Sequence, residues 1–154
     1  MSANTRPTGL KDMRVRLSTL WLFAMLNYLY ADVMTLMDPK TQQEIASGMA
    51  GPMQMTEGFL LAAAVLMETA IAMVLLARAL PYGVNRWANV VVGVLHTLAV
   101  FASMFVGGPP ALYYLFFGSI EIACTLLIVW FALRWTDPAR QSMPQQTGSS
   151  VPAA

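Results

Sequence analysis

The chain has 154 residues, 57% of them hydrophobic and only 11% charged, whereas soluble domains carry about 25% charged residues. A net charge of +1 leaves no basic face to neutralise phosphates, which excludes a nucleic-acid partner. The single cysteine, Cys124, excludes an intramolecular disulfide and any cysteine-based metal cluster, and it is expected to pack as a small apolar residue.

Residues 1–10 are polar and expected to be disordered. Leu10–Arg16 form a basic collar ahead of the first long apolar run. Four such runs follow, at Leu17–Met37, Gly58–Ala77, Trp87–Val106 and Ala111–Leu133. About 20 apolar residues in a helix cross the ~30 Å hydrocarbon core. Lipid satisfies no free backbone groups, so spanning segments are helices or closed barrels. The ~10-residue alternating segments of a strand barrel are absent. The fold class is therefore all-α: a four-transmembrane-helix bundle over residues 17–135. Tight turns make neighbouring helices antiparallel.

Between the spans the punctuation is clear. Asp38-Pro39 stops the first helix, because the residue before proline disfavours the helical region. Loop 38–56 is the longest connection, broken at Gly48, Gly51 and Pro52, with a short surface helix expected over Thr41–Ala46. Pro81-Tyr82-Gly83 and Gly107-Gly108-Pro109-Pro110 read as tight turns. Asp137-Pro138 ends the last helix, and Gln141–Ala154 reads as a disordered tail. Trp87, Trp130, Trp135 and Tyr82 fall at one interface, Tyr113 and Tyr114 at the other, in the aromatic-belt pattern. Met34, Met37, Met53 and Met55 read as packing residues.

Of the 9 Lys and Arg residues, all but Lys40 precede the first span, flank the Pro81-Tyr82-Gly83 turn or follow the last span. The positive-inside rule then puts both termini in the cytoplasm, in a bacterial inner membrane. A cleaved signal peptide is not expected. The best site, Leu29-Tyr30-Ala31 before Asp32, has the large Leu29 at the −3 position.

Each span carries one polar stripe. Ser18, Trp21, Met25, Tyr28, Asp32 and Thr35 alternate at spacings of three and four, a strict seam. Glu57 and Glu68 lie about 20° apart around the second helix. Asn89, His96 and Ser103 recur every seven residues in the third, and Tyr114, Gly118, Glu121 and Thr125 form a seam in the fourth. Polar stripes are expensive in lipid, so they are expected to point inward. Tyr28 (with Asn27), Glu68, His96 and Glu121 all fall about 14–15 Å below the outer boundary. Asp32 lies about 8 Å below it, and Glu57 stands at the rim. Ionisable groups at such depth cost roughly 2.5–3.5 kcal/mol each on insertion scales and mark functional sites.

The expected site is thus a Glu68–His96–Glu121 floor under an acidic neck of Asp32 and Glu57. Glu68, Glu121, His96 and Asp32 are the candidate catalytic residues. Tyr28, Asn27, Trp21, Asn89, Tyr114 and Glu57 are the candidate ligand contacts. Two carboxyls and an imidazole that share protons donate one to an apolar substrate and recover it, or stabilise a cation. The reading is an acid–base pocket for a small hydrophobic or amphipathic molecule, with isomerisation or cyclisation as the reaction class. A dimeric proton-coupled transporter and a non-catalytic membrane scaffold are the alternatives. No cofactor and no metal are assigned, although Glu68, His96 and Glu121 have the donor atoms of a two-carboxylate, one-histidine shell. A retinal site needs an intramembrane lysine, a bis-histidine haem two histidines, and a di-iron site two Glu-x-x-His motifs. None of these occurs, nor does a phosphate-binding loop or nucleophile elbow.

The stretches Trp21-Leu22-Phe23-Ala24-Met25-Leu26-Asn27-Tyr28-Leu29-Tyr30-Ala31-Asp32, Met67-Glu68, Asn85-Arg86-Trp87-Ala88-Asn89 and Ser119-Ile120-Glu121 resemble small four-helix bacterial membrane proteins of the DoxX-like type. The resemblance covers about residues 17–135 and implies an architecture, since many of those proteins are uncharacterised. A looser similarity is to membrane sterol isomerases and terpene cyclases, in which buried acids protonate alkenes or epoxides.

The expected topology has a direct test. A membrane-impermeant thiol reagent added outside should label Ser47→Cys and leave Gln145→Cys unlabelled. The reverse pattern would invert the assignment.

Overall fold

A computed structural model of the chain describes residues 8–105 and 109–136. Five helices account for most of it: α1 (Thr8–Met37), α2 (Pro39–Ala46), α3 (Glu57–Ala79), α4 (Tyr82–Ser103) and α5 (Leu112–Arg134). Four of them, α1 from Met13, α3, α4 and α5, are long and apolar enough to cross a membrane. The expected helical bundle is what the chain forms. The expectations for residues 1–7, for Val106–Gly108 within the second turn and for residues beyond Thr136 lie outside the described residues.

α1 ends at Met37, where Asp38 takes over as the N-cap of α2. Asp38 Oδ1 accepts from the Lys40 amide at 3.2 Å, and Pro39 opens the helix, a position where its missing N–H costs nothing. The surface helix therefore begins two residues earlier than expected. After it comes a miniature hairpin, β1 (Met49–Ala50) paired antiparallel with β2 (Met53–Gln54). Gly48 (φ 76°) and Gly51 (φ 57°) supply its left-handed turns. Thr56 then caps α3 by accepting from the Phe59 amide at 3.2 Å.

The expected Pro81-Tyr82-Gly83 turn is shorter in fact. Leu80 caps α3, Pro81 precedes α4, and Tyr82 and Gly83 already belong to α4's first turn. The third span consequently starts at Tyr82 rather than Trp87. Proline's fixed φ, with no N–H to satisfy, suits it to that junction.

α1 lies between α3 and α5, and α5 between α1 and α4. α3 and α4 meet far less extensively. The tightest packing lies toward the end of the bundle that carries Pro81. There Leu17, Trp21, Ala24, Ala70, Met73, Ala77, Ile128 and Ala132 are buried. Small residues set the helix spacing, as is usual where lipid supplies no hydrophobic drive. Ser18 Oγ donates to the Val74 carbonyl at 2.7 Å, locking α1 to α3. Toward the other end, which carries α2 and the hairpin, no residue in 32–37, 57–69, 97–103 or 112–117 is fully buried. The bundle is thus well buried in one half and more open in the other, where α4 and α5 still meet closely at Met104 and Gly118.

Arginines finish the close-packed end. Arg14 Nη1 donates to the Arg78 carbonyl (3.3 Å), Arg78 Nε to Ser18 Oγ (3.0 Å) and Arg86 Nη2 to the Leu133 carbonyl (3.0 Å). The Tyr82 hydroxyl donates to the Trp135 carbonyl at 2.7 Å. The last carbonyls of α3 and α5, which have no partner within their helices, are met this way, and the cations sit where the helix dipoles favour them.

The two glycines of α4 separate packing from propensity. A Cβ on Gly93 would stand 2.8 Å from Val129 Cγ2, whereas one on Gly83 meets nothing within 4 Å. Gly93→Ala should lower stability by about 1–3 kcal/mol through overpacking of the α4–α5 contact. Gly83→Ala should be neutral or raise it by up to ~1 kcal/mol. Detergent-titration unfolding followed by tryptophan fluorescence would check both, and equal effects would refute the assignment.

Candidate functional site

Three of the four expected inward stripes do point inward. On α1 Ser18, Trp21 and Tyr28 are buried, on α4 Asn89 and His96, and on α5 Gly118, Glu121 and Thr125; Met25, Thr35, Ser103 and Tyr114 are half-buried, and Asp32 is exposed. The exception is α3. Its packed face is Ala70, Met73 and Ala77, and Glu68 is exposed. One residue along a helix is a rotation of 100°, so it is Thr69, not Glu68, that reaches the polar layer. The Glu68–His96–Glu121 floor does not assemble. Among the described residues no three His, Cys, Asp or Glu side chains group closely enough to hold a metal ion, so the two-carboxylate, one-histidine shell is not formed either.

His96 stands at the centre, 2% exposed. Its ring lies 5.7 Å from Trp21, edge-on, and 5.7 Å from Tyr28. Its Nε2 is 3.1 Å from Thr69 Oγ1, and that hydroxyl also donates to the Leu66 carbonyl at 2.6 Å. A hydroxyl has one hydrogen. With that hydrogen on Leu66, Thr69 Oγ1 is left as an acceptor facing Nε2.

On the Pro81 side of His96 the polar groups of the packed interior are matched, and Arg14 Nε, near the end of the bundle, is the buried atom there that lacks a partner. Trp21 Nε1 donates to Asn89 Oδ1 at 2.8 Å. Asn89 Nδ2 donates to the Asn85 carbonyl (2.8 Å) and to Asn85 Oδ1 (2.7 Å), and Asn85 Nδ2 to the Ala77 carbonyl (2.7 Å). Just past His96, Thr97 Oγ1 lies 2.8 Å from both the Gly93 carbonyl and Thr125 Oγ1. Trp21 and Asn89, expected as ligand contacts, therefore bond to each other. Asn27 donates to the Phe23 carbonyl of its own helix at 2.8 Å. Cys124 is buried, as expected, with Sγ 3.3 Å from the Leu20 carbonyl.

On the hairpin side the matching fails. Glu121 and Tyr28 are each 5% exposed. Glu121 Oε1 and the Tyr28 hydroxyl are sealed from solvent without a hydrogen-bond partner. They belong to adjacent helices and lie within electrostatic reach of each other. Asp32, exposed one turn further along α1, and Tyr114 also act electrostatically with Glu121. The Tyr114 hydroxyl donates to Ser103 Oγ at 2.7 Å, tying α5 to α4 above the carboxyl. Glu57 is exposed in the first turn of α3. The structure therefore brings together Tyr28, Asp32, His96, Tyr114 and Glu121. It leaves Glu68 and Glu57 outside.

Thr69, Asn85 and Thr97 are polar participants that the sequence analysis did not select. Asn85 and Asn89 share a helix face at a spacing of four, a legible signal. Thr69 bonds its own helix as threonines commonly do, so nothing in the sequence distinguishes it.

No curated protein and no solved structure matches the chain. The model of a family of unknown function, DUF6326, matches residues 10–142, a stretch containing all four spans and every residue of the polar layer. The chain belongs to the DUF6326 family.

Proposed function

We propose that this multi-pass membrane protein binds a small amphipathic molecule between α1 and α5, with its polar head on Glu121 and Tyr28. One observation carries the reading: a carboxyl oxygen and a phenol, both sealed and unpartnered, face the boundary between the well-buried and more open halves. A buried polar group without a partner costs about 1–3 kcal/mol. Two on neighbouring helices make a ready acceptor and donor for one head group. A hydroxyl fits, since it gives a hydrogen to the carboxylate and takes one from the phenol. The apolar tail would lie among the helices of the more open hairpin half, with Asp32 at the entrance. Both termini are assigned to the cytoplasmic side of a bacterial inner membrane, which places the entrance outward.

Acid–base chemistry is the natural extension. Glu121 as proton donor or acceptor, with His96 in the same polar layer, suits isomerisation or cyclisation of an apolar substrate. The DoxX-like likeness contributes the layout and no activity. A transporter has less support, because Leu17, Trp21 and Ile128, all 0% exposed, fill the bundle below the site, whereas alternating access needs a route to both sides. A scaffold role fits the matched network of Trp21, Asn85 and Asn89 but leaves Glu121 and Tyr28 unaccounted for.

The test uses purified protein in detergent and a series of straight-chain alcohols and amines. At least one should raise the thermal midpoint of the wild type. Glu121→Gln and Tyr28→Phe should each weaken that ligand about tenfold while keeping the fold, a loss of roughly 1.4 kcal/mol. If no compound stabilises the wild type and both variants are more stable than it, the two groups are structural residues and the reading fails.

A further inference from the structure

α3 carries a second seam that the bundle does not use. Glu57, Leu61, Ala64, Glu68, Ile71 and Leu75 follow one another at alternating spacings of four and three residues. That register keeps a single stripe turned toward a partner helix. All six are exposed, Leu61 by 66% and Leu75 by 71%, and α3 is the least buried of the four spans. Lipid covers exposed leucine and isoleucine without cost, because its tails are equally apolar. It does not cover Glu68. That carboxyl stands midway along α3, exposed, and no described residue bonds to it. A lone acid facing lipid at the bilayer centre is expensive, and such residues pair with one another or with backbone groups.

We propose that α3 of a second copy of the chain covers this seam, in a two-fold pair that joins the two Glu68 carboxyls. Copies of one chain insert in the same sense, so the symmetry axis runs along the membrane normal. Each seam residue then meets its own equivalent at the same depth. A carboxyl is complementary to itself: protonated, it donates one hydrogen and still accepts another. Two Glu68 side chains holding at least one proton between them satisfy each other, which neither achieves alone. Ala64, one turn away on the same stripe, admits close backbone approach. Leu61, Ile71 and Leu75 supply the interlocking side chains on either side. Glu57 falls at the end of the span, where water and salt screen its equivalent. The pairing uses the outer face of α3 and is independent of the Glu121–Tyr28 reading.

The experiment is oxidative cross-linking of the full chain in its native membrane vesicles, in a Cys124→Ala background. Leu61→Cys, Ala64→Cys and Ile71→Cys should each give several-fold more covalent dimer than Leu60→Cys, one residue off the seam, or Val91→Cys on the lipid face of α4. Equal yields at all five positions, or a strictly monomeric count by single-molecule photobleaching, would overturn the pairing. Energy transfer between labelled copies then tests the carboxyl. Glu68→Gln should keep the association, because an amide both donates and accepts, and Glu68→Leu should weaken it about tenfold. Unchanged association in Glu68→Leu would overturn the role of Glu68. Capture of a different protein at the seam positions in place of a second copy would overturn the proposal as a whole.

Discussion

A polar group inside a bilayer has no water to turn to, so it needs a partner from the protein. That constraint explains the arrangement of this bundle. From Trp21 through Asn89 and Asn85 to the Ala77 carbonyl, hydrogen bonds of 2.7–2.8 Å pass from α1 to α4 and on to α3. The asparagines are tolerated at full burial because each amide is used. The same bonds fix the rotation of three helices, and those rotations decide which residues of the next turn come together. His96 is presented to Tyr28 and Thr69 because Asn89, two turns earlier on α4, is held by Trp21.

One half of the molecule obeys the constraint except at Arg14 Nε near its end, and the other departs from it at two levels. Inside, Glu121 Oε1 and the Tyr28 hydroxyl lack hydrogen-bond partners. Outside, Glu68 is exposed midway along α3. These are different kinds of departure. The first lies within the bundle and calls for something small. The second lies on a helix surface and calls for something with a helix of its own. Neither disturbs the close-packed half, where the arginines and Tyr82 also satisfy the helix ends.

Much of this was legible in the sequence. The four spans follow from length and hydropathy. The seams of α1, α4 and α5 follow from spacing, because in each of these helices the polar residues and the packed residues share one face. α3 broke the rule for a physical reason. Its packed face is chosen by Ala70 and Ala77, whose smallness lets α1 approach, and a polar stripe 100° away could not override that packing. The grouping of Tyr28 with His96 and Glu121 was legible from counting, and the azimuth of α3 was not. Depth is set by counting residues from a span's end. Azimuth depends on which neighbour a helix meets, and that is decided by residues far away in the chain. The start of α4 at Tyr82 and the Met49–Gln54 hairpin were missed because a lone proline and a short glycine-containing loop admit several local outcomes.

The two-residue junction at Leu80–Pro81 has a mechanical consequence. α3 is fastened at one end, by this joint and by Ser18 and Arg78, and its first turns touch little. It behaves as a lever with its fulcrum at the arginine-rich end. At 23 residues its arm is about 34 Å long, so a tilt of about 5° displaces the tip by about 3 Å and mid-helix by half as much. Thr69 lies near the middle of that arm, bonded to His96. Any load on the free length of α3 is therefore felt first at the histidine, and the helix converts a force applied in the plane of the membrane into a change of distance at the polar layer.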